Sequence, residues 1–250
     1  MSPKFSIISC SLNGRDLRRT VTSISVQNFE DYEVIIVAPK DNSNASEYVK
    51  ELNKSINATL VNDPKFGVYE AMNAGAKVAT GEFLIFLNEG DEFSSQISLR
   101  ILSDISIKKD WAYGSYIKRN QSLNKETLYK FIPYSNFLHR FGWKYIPHPS
   151  SIISKKLFEK LNGFDVSETI AADQKLFLRA AQVSKPGVTD EVISIFYLGG
   201  SSSRPVLKAM MDAKRISNEI FGFTLNSRLI DSIVWILNIA LKRFLKLFVS

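Results

Sequence analysis

The run YEVIIVA at residues 32–38 constrains this chain more than any other stretch. An uninterrupted apolar segment of strand length has no wet side, so it must be covered on both faces, as the inner strands of parallel sheets are. Its surroundings agree. Residues 4–9 read as a first strand and Asn13-Gly14 as a turn. Residues 15–26 read as a helix with Leu17, Val21 and Ile24 on one side and Arg15, Arg18 and Arg19 on the other. Beyond the run come a polar loop (39–46), a helix (47–55), a strand (58–61), a helix (68–79) and a strand (83–87). This β-α-β-α-β-α-β alternation predicts an α/β fold with a mostly parallel central sheet and helices on both faces.

The second half reads as a helix over 98–107, a strand over 111–118, helices over 154–161 and 171–183, a strand over 192–197 and a Gly/Ser loop over 199–205. Residues 119–147 form a long stretch rich in aromatic and basic side chains, including Tyr129, Phe131, Tyr134, Phe137, Phe141, Trp143 and Tyr145. A connection of that length suggests a substrate-facing lid or a membrane-facing surface. Near the C-terminus, Ile230, Ile233, Val234, Leu237, Leu241, Phe244, Leu245 and Phe248 recur at helical spacing. Lys242, Arg243 and Lys246 interrupt them too early for the roughly 20 apolar residues that span a bilayer. An amphipathic helix lying in the membrane surface fits this pattern, as does a helix packed on its own domain or on a partner subunit. The expected units are residues 1–97, 98–225 and 226–250.

Composition narrows the chemistry. The 250 residues, 45% hydrophobic, can bury a full core. A single cysteine, Cys10, excludes an internal disulfide framework and a cysteine-rich zinc site, and two histidines, His139 and His148, argue against a multi-histidine metal centre. The apolar stretch after Met1-Ser2-Pro3-Lys4 is too short for a signal peptide. A net charge of +7 is compatible with nucleic acid, anionic lipid or a phosphorylated substrate. No zinc-finger spacing and no aromatic-basic RNA-binding signature is present, so no nucleic-acid partner is expected.

The residues nearest to chemistry follow the 83–87 strand. Asn88-Glu89-Gly90-Asp91 stands at a strand's C-terminal end, where open α/β sheets build their ligand sites. Asp91 is the leading candidate for holding a divalent ion, with the Asn88 amide oxygen and Glu89 beside it. The same four residues also read as a turn that caps the next helix.

Three segments, in order, resemble the family 2 glycosyltransferases of GT-A fold over roughly residues 4–204. FSIISCSLN, followed by the Arg-rich helix and SISVQNFEDYEVIIV, is similar to that family's first strand, helix and second strand. GVYEAMNAGAKVATGEFLIFLNEGDEF looks like the approach to its metal motif, with Asn-x-Gly-Asp where many members have Asp-x-Asp, as in bacterial exopolysaccharide, O-antigen and colanic-acid enzymes. GFDVSETIAADQKLFLRAA looks like the segment that carries its catalytic base. The resemblance implies transfer of a sugar from a nucleotide-sugar, usually a UDP-sugar, with inversion at the anomeric carbon. It implies Mn²⁺ or Mg²⁺ at Asp91, ions that favour oxygen ligands and draw several of them from phosphate and water. It also implies Asp173 as the base, a position at a helix start where an aspartate has a structural use as well. His148, held between Pro147 and Pro149, matches a family histidine that contacts diphosphate or acceptor. Arg204 could close over the diphosphate. Ser9, Ser11, Lys65 and Asn73 become nucleotide-side contacts, each with turn or capping chemistry as the plainer account. Glu168 reads as loop surface.

The family's base-reading aspartate at the end of the second strand is replaced by Ala38, with Asp41 three residues on as a substitute, and Leu12 stands where an aromatic often stacks. The expected acceptor is a saccharide or lipid-linked saccharide in bacterial surface polysaccharide synthesis. The enzyme is expected in the cytoplasm, held peripherally at the inner face of the plasma membrane by residues 226–250. A non-catalytic scaffold of the same fold and a nucleotidyltransferase are the competing readings.

Overall fold

The computed structural model describes residues 2–168, 170–197, 206–222, 233, 235–237 and 240. The first half alternates as its apolar periodicity requires: β1 (Phe5–Cys10), α1 (Leu17–Ser25), β2 (Tyr32–Ala38), α2 (Ser43–Leu52), β3 (Asn57–Asn62), α3 (Val68–Val78) and β4 (Phe83–Phe86). These four strands lie parallel in the order β3-β2-β1-β4. The second half contains β5 (Glu92–Phe93), α4 (Ser98–Ile105), β6 (Trp111–Asn120), β7 (Lys125–Tyr129), α5 (Asn136–Arg140), a 3-10 turn (His148–Ser150), β8 (Ser151–Ser154), α6 (Lys155–Lys160), α7 (Ala172–Val183), β9 (Gly187–Tyr197) and α8 (Val206–Phe221). It extends the same sheet as β4-β8-β6-β9-β5, with β7 hydrogen-bonded to β6.

Two differences from the sequence reading matter for the site. The stretch 119–147 is not one long connection but contains the β6–β7 hairpin and α5. Residues 151–154, SIIS, form a strand before the helix at 155 begins. That strand, β8, runs antiparallel between β4 and β6 and brings the His148 turn up against the end of β4.

Side chains alternate across the pleat and split the core in two. Ile8, Ile35, Val37, Leu84 and Phe86 face α3, α6 and α7. Phe5, Ile7, Val34, Ile36 and Ile85 face α1, α2 and α4. One charge sits among them. Glu33 of β2 is buried, and its Oε1 accepts from Ser6 Oγ (2.6 Å), Thr80 N (2.6 Å) and Thr80 Oγ1 (2.9 Å). Full satisfaction of that oxygen is what makes a buried carboxylate tolerable. Gly81 completes the arrangement by donating to Ser6 Oγ at 2.8 Å, and an added Cβ there would lie 2.7 Å from the Ser6 nitrogen.

Among the described residues no helix is long and apolar enough to cross a membrane. The proposed surface helix at 226–250 falls largely outside the described residues. Within it, Trp235 is buried with Phe141 and Ala213, whereas Ile233, Ile236 and Leu237 are each more than half exposed.

Helix α3 rests on the sheet through Gly75, where a Cβ would lie 2.5 Å from Ile8 Cγ2 and 3.0 Å from Val37 Cγ2. Both neighbours are β-branched strand residues with little freedom to move aside. Gly75→Val is therefore expected to destabilise the protein by about 1–3 kcal/mol, as read from the urea midpoint at unchanged slope.

Candidate active site

The ends of β1 and β4, the 148–150 turn and the first turn of α7 converge on one cleft through a chain of hydrogen bonds. The Cys10 backbone N–H donates to Asn88 Oδ1 at 3.3 Å. This fixes which end of the Asn88 amide is oxygen and turns Nδ2 toward His148 Nε2, 3.3 Å away. An amide nitrogen can only donate, so Nε2 accepts in this contact. Nδ1, which makes no hydrogen bond among the described residues, lies 3.5 Å from Asp173 Oδ2. Asp173 is held further by the Gln174 N–H, 2.8 Å from Oδ1. The Tyr69 hydroxyl, which donates to Ile170 O at 2.6 Å, stands 3.5 Å from the same oxygen. The side chain of Asp173 remains 23% exposed, enough to meet a ligand from the cleft.

Asp91 enters the cleft from the turn that leaves β4. Its N–H bonds Asn88 O at 3.0 Å, and Gly90 takes φ +95°, a backbone state that favours glycine. Thr20 of α1 locks the turn: its hydroxyl donates to Asp91 O at 2.7 Å and accepts from Gly90 N at 3.0 Å. The Asp91 side chain is buried. Burial pushes its carboxyl up to about 7, against the opposing pull of His148, the Tyr197 backbone N–H and Arg19. His148 thus stands 3.5 Å from Asp173 and close enough to Asp91 to act on its charge.

This arrangement suits a divalent ion. No ion pair within 4 Å balances the buried Asp91 carboxylate among the described residues, and a bound cation would take the place of its proton. Among those residues, no three His, Cys, Asp or Glu side chains form a self-sufficient metal cluster. An ion here would draw its remaining ligands from a phosphorylated substrate and water.

The structure redistributes several other expected roles. Asn88 uses both ends of its amide to hold Cys10 and His148, which makes it a positioning group rather than a free ligand. Glu89 accepts from Ser11 Oγ (2.9 Å), Leu12 N (3.0 Å) and Asp16 N (2.9 Å), so it shapes the β1–α1 loop instead of offering itself to a metal. Ser11 is thereby engaged, and Ser9 is fully buried within β1. Neither hydroxyl is open to a nucleotide. Asn73 clamps the turn after α6: its Nδ2 donates to Phe164 O (2.9 Å) and its Oδ1 accepts from Phe164 N (3.0 Å). Lys65 is exposed on the loop after β3 at φ +68°. Asp41 is exposed on the β2–α2 loop. The carboxylate at the strand ends is Asp63 instead, whose charge adds to burial in raising the Cys10 thiol. Glu168 is buried, not surface, and forms a two-oxygen pair with the Arg215 guanidinium. Arg204 lies outside the described residues.

Some groups at the site gave no sequence signal. Tyr116 and Tyr145 both feel the charge of Asp173, and burial with that charge pushes the Tyr145 hydroxyl up to about 12. The Arg19 guanidinium lies 4.0 Å from the centre of the Tyr197 ring and donates to Gly90 O at 3.2 Å. Beneath Asp173, Gln174 bonds His139 twice, and burial lowers that imidazole to about 3 and keeps it neutral. These are ordinary tyrosines, glutamine and histidine in sequence, and only the fold assembles them.

The sequence model of a family described as Glycosyl transferase family 2 matches residues 6–161. The chain is 27% identical over 145 residues to Escherichia coli WfgD, named a UDP-Glc:alpha-D-GlcNAc-diphosphoundecaprenol beta-1,3-glucosyltransferase, covering 55% of this chain and 56% of WfgD. Its fold matches S. aureus TarS 1–349 in complex with UDP-GlcNAc with a TM-score of 0.70 at 17% identity, covering 93% of this chain and 70% of that one. It also matches the mannosyltransferase PcManGT from Pyrobaculum calidifontis in complex with GDP-Man and Mn²⁺ with a TM-score of 0.62 at 14% identity, covering 96% and 81%. At these identities the two structures establish a shared GT-A-like fold.

The environment of Asp91 makes a sharp pH prediction. Its carboxyl titrates near 3.8 when unfolded and about 7 when folded. Between those values the unfolded chain gives up a proton that the native state keeps. The Asp91 contribution is thus fully present below the unfolded value and lost as pH rises through about 7. Melting temperatures of the metal-free protein at pH 5 and pH 8 should show a smaller loss in Asp91→Asn than in the wild type.

Proposed function

The chain belongs to glycosyl transferase family 2, and we propose that it carries a sugar from a UDP-sugar to a hydroxyl of a saccharide linked through diphosphate to a lipid. The observation that carries this reading is His148, which stands 3.5 Å from Asp173 and acts on the charge of Asp91. The Asp173 carboxylate is partly open to the cleft. The other is buried at the C-terminal edge of the sheet, where a diphosphate would enter.

Asp173 accepts the proton of the acceptor hydroxyl as the hydroxyl oxygen forms a bond to the anomeric carbon. The bond from that carbon to the diphosphate oxygen breaks on the opposite side, its electron pair leaves with the nucleoside diphosphate, and the configuration inverts. His148 stands beside the Asp173 carboxylate and stabilises it until the proton arrives. Asp91 would hold Mn²⁺ or Mg²⁺, which when bound neutralises the charge that gathers on the leaving diphosphate. Asp63, at the end of β3 near Cys10, takes the base-facing place that Ala38 leaves without a carboxylate. The Mn²⁺ complex of PcManGT supports the metal, the UDP-GlcNAc complex of TarS supports the donor class, and the name of WfgD supports a lipid-diphosphate acceptor in surface polysaccharide assembly.

Such an acceptor lies at a membrane surface, and peripheral attachment on the cytoplasmic side through residues 226–250 is part of the proposal. Trp235 anchors that segment beside Phe141, with ring centres 5.9 Å apart, while Ile236 and Leu237 remain exposed. Because those two side chains are each more than half exposed, Ile236→Glu with Leu237→Glu should move the protein from membranes to the soluble fraction without lowering its melting temperature. Unaltered partitioning would refute the attachment.

The enzymatic test begins with a thermal-shift panel of UDP-, GDP-, dTDP- and CMP-sugars with Mn²⁺ or Mg²⁺. With the donor identified, Asp173→Asn should slow nucleoside diphosphate release roughly 10²–10⁴-fold while preserving the donor-induced shift. Near-normal turnover in that variant would overturn the assignment of the base.

A further inference from the structure

We infer that one face of the β6–β7 hairpin is a binding surface for the acceptor's phosphate group, holding it about one sugar ring away from Asp173. The inference rests on the reading of Asp173 as the group that meets the acceptor hydroxyl. It adds a second site, on elements other than those that carry Cys10 and Asp91.

Strand alternation puts Tyr116, Lys118 and Asn120 on a common face of β6. The register pairs them with Tyr129, Thr127 and Lys125 of β7. The face lies on the strand whose Tyr113 pairs with Ser151, the residue that follows the His148 turn. The rings of Tyr116 and Tyr129 stack with centres 5.0 Å apart and 12° between planes. Such a platform suits the apolar C–H face of a sugar. Lys118 follows two residues on, about 7 Å along the strand, with its Nζ 5.1 Å from the centre of the Tyr129 ring.

Charge sorts unevenly between the two faces of this hairpin. Glu126, the hairpin's acidic residue, lies on the opposite face and pairs with Arg119 at 2.6 Å, and Arg119 also reaches Glu92 at 3.4 Å. On the Tyr116 face, neither Lys118 nor Lys125 has a carboxylate within 4 Å among the described residues. Lys118 is half-buried, and burial lowers its ammonium from the ordinary value with no anion to offset the cost. Two unpaired ammonium groups with the Thr127 hydroxyl between them offer the donors that a phosphate or diphosphate takes. A neutral oligosaccharide would leave those charges without a partner.

The test uses the full chain saturated with UDP and Mn²⁺, so that the donor site is filled. Decyl diphosphate, a sugar-free probe kept below its micelle concentration, is then titrated calorimetrically. The wild type should bind it, with affinity falling as salt rises. Lys118→Gln with Lys125→Gln should weaken binding at least tenfold, Lys118→Arg with Lys125→Arg should restore it, and UDP affinity should stay constant throughout. Absence of binding to the UDP-loaded wild type, or equal affinity in the Gln variant, would overturn the hairpin site. If UDP and Mn²⁺ themselves fail to bind the wild type, the donor-site reading beneath it is what falls.

Discussion

A single backbone N–H, that of Cys10, sets the chemistry of the cleft. It orients the Asn88 amide, whose nitrogen meets His148 Nε2, and His148 Nδ1 then lies 3.5 Å from Asp173. The amide contacts have only one compatible arrangement, because an amide nitrogen cannot accept. The groups come from β1, the turn after β4, the turn before β8 and the start of α7. The antiparallel insertion of β8 between β4 and β6 makes their meeting possible. Without that strand the parallel half of the sheet would present Asn88 and Asp91 with no histidine and no base beside them.

The parallel half was legible in the sequence because β1, β2 and β4 are covered on both faces and each of its helices is two-sided. YEVIIVA occupies β2 with the boundaries its apolar run implies, and α3 differs by one residue at its end. The other half was harder to read for definite reasons. β8 is only four residues long and its last serine caps the following helix, so its pattern merges with that of α6. All of β7 is exposed, and an exposed strand carries no alternation of apolar and polar residues to detect. Site residues divide along the same line. Asp91 and Asp173 stand at element ends where polarity is conspicuous. Asn73 and Glu89 look equally polar in sequence, yet their partners are backbone groups and a hydroxyl far along the chain. Their structural use cannot be told from ligand binding until the fold is known.

Buried charge links the catalytic helix to the C-terminal part of the chain. Lys175, two residues beyond Asp173 on α7, contacts Asp165 and Glu219 at 2.5 Å each and Glu168 at 3.6 Å. Glu168 in turn grips Arg215 of α8. Breaking one member of such a set strands the others in a poorly solvated place, so the set behaves as a unit. The loop at 165–168, α7 and α8 are therefore held in one arrangement, and Asp173 inherits its position from it. Helix α8 also carries Ala213, against which Trp235 is buried. Packing thus runs from Trp235 through α8 to the helix that carries Asp173.

This continuity bears on how a soluble-type fold could work on a substrate held at a lipid surface. An acceptor with a lipid tail cannot travel far from the bilayer, so the cleft must be brought to it with a defined orientation. The segment around Trp235 and the β6–β7 hairpin offer two different contacts for that purpose. One is apolar and joined to α8. The other is cationic and joined to the strand whose Tyr116 borders Asp173. Apolar attachment alone would leave rotation about the anchor free, and cationic contact alone would weaken with salt. Acting together they would restrict the acceptor hydroxyl to the neighbourhood of the base before any donor contact is made, and restriction of that kind is what lets a general base act on a single hydroxyl.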